Sequence, residues 1–286
     1  MISDITLGQF FPGYSIIHKL DPRTKIMTSV MFIITVFLAN NPITLAFLGF
    51  LTVMMVLISK ISFKVILKSI KPLVFILAFT AVLNLFLTTG EGSPVLEFWI
   101  IKIYEEGIVR AIFMFVRVII FILASTVLLT YTTSPISLTD GIESLLSPLK
   151  KIKVPVHSFA MMMSIALRFI PILVEETEKI MNAQKSRGAD FSSGGIIKRA
   201  KALIPILIPL LASAFNRADE LATAMECRCY RGDKNRTKLV KLEYKAKDVI
   251  CIILFAMIFI SIILLRVIPY KIEITSFLLK ILFYKI

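Results

Sequence analysis

Few side chains in this sequence are equipped for covalent chemistry, and their spacing argues against it. The two histidines, His18 and His157, stand on separate segments, so a metal site or a histidine acid/base pair has only weak support. Cys227 and Cys229 form a Cys-x-Cys pair and Cys251 stands apart. An odd number of thiols gives no disulfide framework, and two thiols without further ligands read as reduced cysteines rather than a metal site. Neither a G-x-x-x-x-G-K-[ST] loop nor a G-x-G-x-x-G turn occurs, so the chain carries no recognisable nucleotide site and any energy it uses comes from a partner. No catalytic residue, metal or cofactor is expected.

Recognition chemistry is better supplied. Two long segments end alike, in Ala183-Gln184-Lys185-Ser186-Arg187-Gly188 and in Ala224-Met225-Glu226-Cys227-Arg228-Cys229. Each has an alanine, three residues, then an arginine flanked by small side chains at an expected helix C-terminus. A cation there suits the negative end of the helix dipole, and small neighbours let another protein's backbone approach. One such end is an ordinary cap; two ends 41 residues apart on segments of the same plan read as a docking device. Asp190, Glu226 and Arg231 are the supporting polar candidates.

The elements that must position these ends are helices in or on a membrane. Of 286 residues 57% are hydrophobic and 18% charged, and the mean hydropathy is +0.85, which excludes a water-soluble globular enzyme. Apolar runs approach the roughly 20 residues that cross a bilayer. Spans are expected over Thr24 to Asn40, Ile43 to Ser59, Pro72 to about Thr89, Ile108 to Thr133 and Val249 to about Leu265. Lys60, Lys64, Lys68 and Lys71 recur every three or four residues among Ile61, Phe63, Ile66, Leu67 and Ile70, the pattern of a short basic helix on the membrane surface. The N-terminus lacks the pattern of a cleaved secretory signal, so the first span is expected to direct insertion.

From Ser134 to Lys247 the chain is punctuated by proline and strongly basic, and it holds the two informative segments, Val156 to Arg187 and Ile196 to Arg231. Each begins apolar and ends polar. As helices they would run about 50 Å at 1.5 Å per residue, with kinks expected at Pro171, Pro205 and Pro209. Three regions follow: a four-span part over 1–133, a cytoplasmic module over 134–247, and a last span and tail over 248–286. Of the 33 Lys and Arg, 26 fall on the side that holds Lys60 to Lys71 and the 134–247 module, and 5 on the other. By the positive-inside rule that side and the N-terminus are cytoplasmic. Making full spans of Val154 to Val174 and Ala202 to Phe215 would export Lys179, Lys185, Arg187, Lys198, Arg199 and Lys201. The acidic loop with Glu91, Glu97, Glu105 and Glu106 is expected outside, with Trp99 and Tyr104 at headgroup level. Arg117, within a span, reads either as a pathway residue or as an arginine buried against a neighbouring helix.

Taken together these residues resemble the transmembrane T component of energy-coupling factor transporters, the EcfT/CbiQ family. That family carries two Ala-Arg-Gly motifs at the ends of coupling helices, and Ser186-Arg187-Gly188 and Cys227-Arg228-Cys229 look like them. The surroundings are similar as well: Leu167-Arg168-Phe169-Ile170-Pro171 and Glu175-Glu176 before the first motif, Ala218-Asp219-Glu220-Leu221-Ala222 before the second, and Leu20-Asp21-Pro22-Arg23-Thr24-Lys25 near the N-terminus. The sequence departs from the family at Ser186, Cys227 and Cys229. Cys229 stands where glycine would favour a left-handed turn.

The resemblance implies an all-α polytopic scaffold with about five spans and long coupling helices, in a prokaryotic plasma membrane. It further implies docking of Arg187 and Arg228 on a pair of cytosolic ABC ATPase subunits, A and A′. A small membrane S component that captures a vitamin or a transition-metal ion would sit on a platform of Phe159, Met161, Met162, Met163, Leu203, Ile206, Leu207, Leu210 and Leu211. Methionine and small aliphatics suit a surface that accepts several partners, although burial between the two helices accounts for part of the stripe. No nucleic acid is implied. A stand-alone carrier or channel, and a membrane-embedded lipid enzyme, remain as other classes. Past Lys25 at the start of the first, the spans before residue 134 hold only Arg110 and Arg117, without an acidic partner in another span, and no His, Asp and Glu cluster forms at the interface.

Overall fold

Asp21-Pro22 opens the first helix. The Asp21 carboxylate accepts the Arg23 N–H at 2.9 Å, and proline at the first helical position presents no N–H to leave unpaired. The computed structural model describes residues 10–87, 96–98, 101–191, 195–232 and 242–267. Nine α-helices occur among them: α1 (Pro22–Leu38), α2 (Pro42–Ser59), α3 (Phe63–Ile70), α4 (Val74–Leu87), α5 (Glu105–Ser125), α6 (Pro135–Leu145), α7 (Val156–Ser186), α8 (Ile196–Cys227) and α9 (Ala246–Val267). The chain is an all-α polytopic membrane protein, with one departure. Leu96–Phe98 and Ile101–Ile103 pair as a short antiparallel hairpin in the register Leu96↔Ile103, where the sequence suggested only an acidic loop. Trp99, Glu91 and the tail from 268 onward lie outside the described residues.

Six stretches among the described residues are long and apolar enough to cross a membrane: Pro42–Ser59, Phe63–Phe86, Gly107–Tyr131, Val156–Ser186, Ala200–Cys227 and Ala246–Arg266. Four of them overlap the expected second to fifth spans over most of their length. The first expected span, α1, has 17 residues, about 26 Å of helix. The other two are α7 and α8, whose apolar halves suffice by length and composition. The basic segment after Lys60 forms α3 and continues through a single turn at Lys71–Leu73 into α4. The expected basic amphipathic helix is thus a short helix of its own, joined directly to the third apolar span.

The helices fall into two compact units. One comprises Phe11–Thr133 and the chain from Glu243 on. There α1 packs on α5 and α9, and α2 and α4 pack on α5. Its core holds Phe32, Val36, Leu45, Leu48, Ile120 and Phe255, and Gly49 of α2 faces Ile120, whose Cδ1 a Cβ there would meet at 3.4 Å, an ordinary contact. Three buried hydroxyls are satisfied inside their own helices: Thr28 donates to the Thr24 carbonyl at 2.8 Å, Thr52 to Leu48 at 2.8 Å and Thr35 to Met31 at 2.6 Å. In lipid no water can do this. The other unit comprises Ser134–Leu242, in which α7 packs against both α6 and α8. Both α7 and α8 run unbroken through Pro171, Pro205 and Pro209.

Candidate functional site: twin caps on two long helices

Each long helix ends in the same hydrogen-bonded turn. At the end of α7, Arg187 is the cap residue and Gly188 follows in the left-handed region at φ +85°. The Gly188 N–H donates to the Lys185 carbonyl at 2.9 Å and the Ala189 N–H to Gln184 at 3.0 Å. At the end of α8, Arg228 is the cap residue and Cys229 follows at φ +56°. The Cys229 N–H donates to Glu226 at 2.8 Å and the Tyr230 N–H to Met225 at 3.0 Å. Both are Schellman turns, which satisfy carbonyls that a helix end leaves open. Cysteine therefore holds the turn that its type disfavours, and α8 stops at Cys227, four residues short of the expected end at Arg231.

Arg187, Arg228 and their neighbours Ser186, Gly188, Cys227 and Cys229 are all exposed, as are Asp190, Glu226 and Arg231. Among the described residues neither Arg187 nor Arg228 has an ion-pair partner. Each presents a planar fork of five N–H donors, the geometry that recognises carboxylates and carbonyl-lined pockets. The helix behind each fork is braced. Glu176 on α7 pairs with Arg217 on α8 at 3.6 Å, and each lies eleven residues before its motif arginine, about 16 Å along the helix. Sequence spacing gave no sign of this pair.

The apolar halves divide into two faces. Ile206 is buried, Met161 and Leu210 are half-buried, and Phe159, Met162, Met163, Leu203, Leu207 and Leu211 are exposed. The stripe that the sequence left undivided thus splits into a packing part and a free part.

The chain matches the family model described as cobalt transport protein, CbiQ, over residues 13–239. It is 51% identical over 250 residues to the energy-coupling factor transporter transmembrane protein EcfT of Clostridium kluyveri, covering 87% of this chain and 92% of that one. To the EcfT of Bacillus subtilis it is 49% identical over 263 residues, 91% of this chain and 98% of the relative. The chain belongs to the CbiQ/EcfT family. It is a multi-pass transmembrane component of an energy-coupling factor transporter. The CbiQ match encloses both caps and the Asp21-to-Lys25 segment and ends before α9.

The remaining polar candidates are structural in this EcfT-type chain. Arg117 donates to the Ala39 carbonyl at the end of α1, with its guanidinium 4.9 Å above the Phe113 ring. This is the buried-arginine reading, with a cation at a helix C-terminus. His157 meets Glu143 of α6 at 2.9 Å through Nδ1. Tertiary packing joins them across 14 positions, which helical spacing cannot reveal. His18 bonds through Nδ1 to the Ser15 hydroxyl at 2.6 Å and through Nε2 to the Phe11 carbonyl at 3.0 Å. Burial lowers its pKa, opposed by the Phe11 bond and assisted by the nearby Lys25 charge.

Proposed function

We propose that this chain couples ATP hydrolysis on two cytosolic ABC ATPase subunits to a small substrate-binding S component in the membrane, for uptake of a vitamin or a transition-metal ion. The observation that carries the reading is the twin cap: two helix ends with the same turn, each presenting an exposed arginine that has no ion pair among the described residues. Arg187 and Arg228 would each enter a groove on one ATPase, with Asp190, Glu226 and Arg231 as flanking contacts. Neither would touch ATP. Approach of the two ATPases would move the helix ends, and the Glu176–Arg217 brace would pass that motion to the apolar halves of α7 and α8. The exposed residues there, Phe159, Met162, Met163, Leu203, Leu207 and Leu211, would seat the S component. The region 134–247 is then the coupling module, with the N-terminus and Lys60 to Lys71 on the same, cytoplasmic side, as the lysine and arginine distribution supports.

The test is co-purification of the tagged chain from its native membrane, comparing wild type with an Arg187→Glu, Arg228→Glu double variant. Recovery of ATPase subunits with wild type and their loss from a membrane-inserted variant is expected. Equal recovery with both would remove the arginines from the interface. Recovery with neither would leave transport by the isolated chain as the reading to pursue.

A further inference from the structure

A groove of about 470 Å³ lies between α2 and α9, floored by α1 and by the segment that precedes it. Met55 and Ile58 line one wall, Leu254 and Ile258 the other, and Phe32 the floor. Among its lining residues only Lys247 is charged, and it sits at one end. Leu20 and Ile58 mark the same end, and the neighbouring positions there are Lys19 and Lys60. At the opposite end no Asp, Glu, Lys or Arg occurs in 27–38, 42–59 or 249–265.

From Lys247 to Ile258 the groove follows α9 for eleven residues, about 16 Å. One leaflet of hydrocarbon is half of roughly 30 Å, or about 15 Å. The groove is therefore about one leaflet deep, with the exposed Lys247 at its mouth, beside the buried Asp248 and Asp21, and no charged lining residue at its foot. Spread over that length, its volume gives a cross-section of about 30 Å², the bore of a single polymethylene chain. An apolar cavity of this kind offers water no partners, and adjacent Met54 and Met55 adapt to a flexible chain.

We propose that this groove holds one acyl chain of an anionic phospholipid, with the lipid phosphate held at the mouth by Lys247. The fit is in depth, bore and charge together. It makes the lipid a wedge between α2 and α9, independent of how the chain meets its transporter partners.

Two photoreactive lipids test this, a phosphatidylglycerol and a phosphatidylcholine, each with a diazirine midway along one acyl chain. The full chain is reconstituted in phosphatidylcholine vesicles containing one or the other, and labelled residues are mapped by mass spectrometry. Labelling of Leu51–Ile58 and Ile250–Ile258, several-fold stronger with phosphatidylglycerol, is expected. Leu254→Trp, which fills the groove, should abolish it while labelling of exposed Phe75 and Phe79 on α4 persists, and the milder Ile250→Phe should reduce it. Lys247→Glu should erase the preference for phosphatidylglycerol and keep the labelled positions. Equal labelling by both lipids, spread evenly over α2, α4 and α9, would mean annular lipid only and would overturn the proposal. An unlabelled groove beside a labelled α4 would also overturn it, because a segment of protein would then cover the groove.

Discussion

Cys229 takes the same left-handed backbone at the end of α8 that Gly188 takes at the end of α7, with φ of +56° against +85°. Glycine adopts this region freely, whereas an L-residue loses roughly 1 kcal/mol to contact between its Cβ and the following carbonyl. A Cβ on Gly188 would meet nothing within 4 Å, so Gly188→Ala isolates the backbone effect. Gly188→Ala should destabilise the α7 cap by about 1 kcal/mol, and Cys229→Gly should stabilise the α8 cap by up to a similar amount. Hydrogen exchange reads this locally. The amides of Gly188 and Ala189, bonded to Lys185 and Gln184, should exchange about fivefold faster in the first variant, and those of Cys229 and Tyr230 more slowly in the second. Unchanged exchange in both would mean that the caps are fixed by something other than their own turns.

Asp248 clamps the first and last helices of its unit. It is 1% exposed, its Oδ1 accepts the Asp21 N–H at 2.8 Å and its Oδ2 the Lys245 N–H at 2.9 Å. Asp248→Ala orphans two N–H groups at once. At roughly 1–3 kcal/mol for each buried unmade bond, a loss of about 2–5 kcal/mol is expected, with Asp248→Asn between the two because one acceptor oxygen survives. Thermal unfolding in detergent should place the midpoint of the alanine variant several degrees below wild type. A shift of a degree or less would mean that water reaches these amides and that the clamp contributes little.

The apolar segments were legible in the sequence because hydropathy and helical period are local, and the repeated Ala-x-x-x-Arg ending is itself a linear pattern. Asp248 with Asp21 was not legible, since 227 positions separate them. Nor was the environment of Lys25. It is 2% exposed, and its ammonium donates to the carbonyls of Thr132 at 2.7 Å and His18 at 3.1 Å. The Thr132 carbonyl follows a π-helical stretch over Thr126–Tyr131, whose wider turn disrupts the usual ladder and frees carbonyls for side chains. The stretch has no glycine or proline to mark it. The division of the methionine and leucine stripe also escaped. Periodicity identifies one face of a helix, whereas burial of Ile206 beside exposed Leu207 depends on where α7 crosses.

The Glu176–Arg217 pair separates holding from transmitting. Its side chains are 25% and 40% exposed, so it adds at most about 1 kcal/mol of stability. If it carries motion between α7 and α8 as proposed, Glu176→Arg should leave insertion and ATPase recovery intact while lowering substrate uptake by the assembled transporter. The compensating Glu176→Arg, Arg217→Glu exchange should restore part of that uptake. Uptake equal to wild type in the single variant would leave the pair as an ordinary surface contact, and loss of ATPases from it would show that the reversal disturbs the caps themselves.

His18 gives the N-terminal segment a dependence on pH whose sign follows from its bonds. The Phe11 carbonyl can only accept, so Nε2 carries the hydrogen and, in the neutral ring, Nδ1 accepts from the Ser15 hydroxyl. Gly13 lies against the same ring; a Cβ there would come 2.8 Å from His18 Cε1. Burial foremost, and the Lys25 charge besides, hold the folded pKa below the ordinary 6.5. The unfolded chain therefore binds the proton first as pH falls. The stabilisation due to neutral His18 is complete above about 6.5 and is lost as pH drops through the lower, folded value. His18→Gln has no such titration. Between about pH 7.5 and 5.5, across the histidine range, the midpoint of thermal unfolding should fall further in wild type than in His18→Gln, the other groups cancelling in the comparison. Parallel decline of the two proteins would mean that His18 stays solvated in the folded state. A steeper decline in the variant would reverse the sign and require a carboxylate beside the ring.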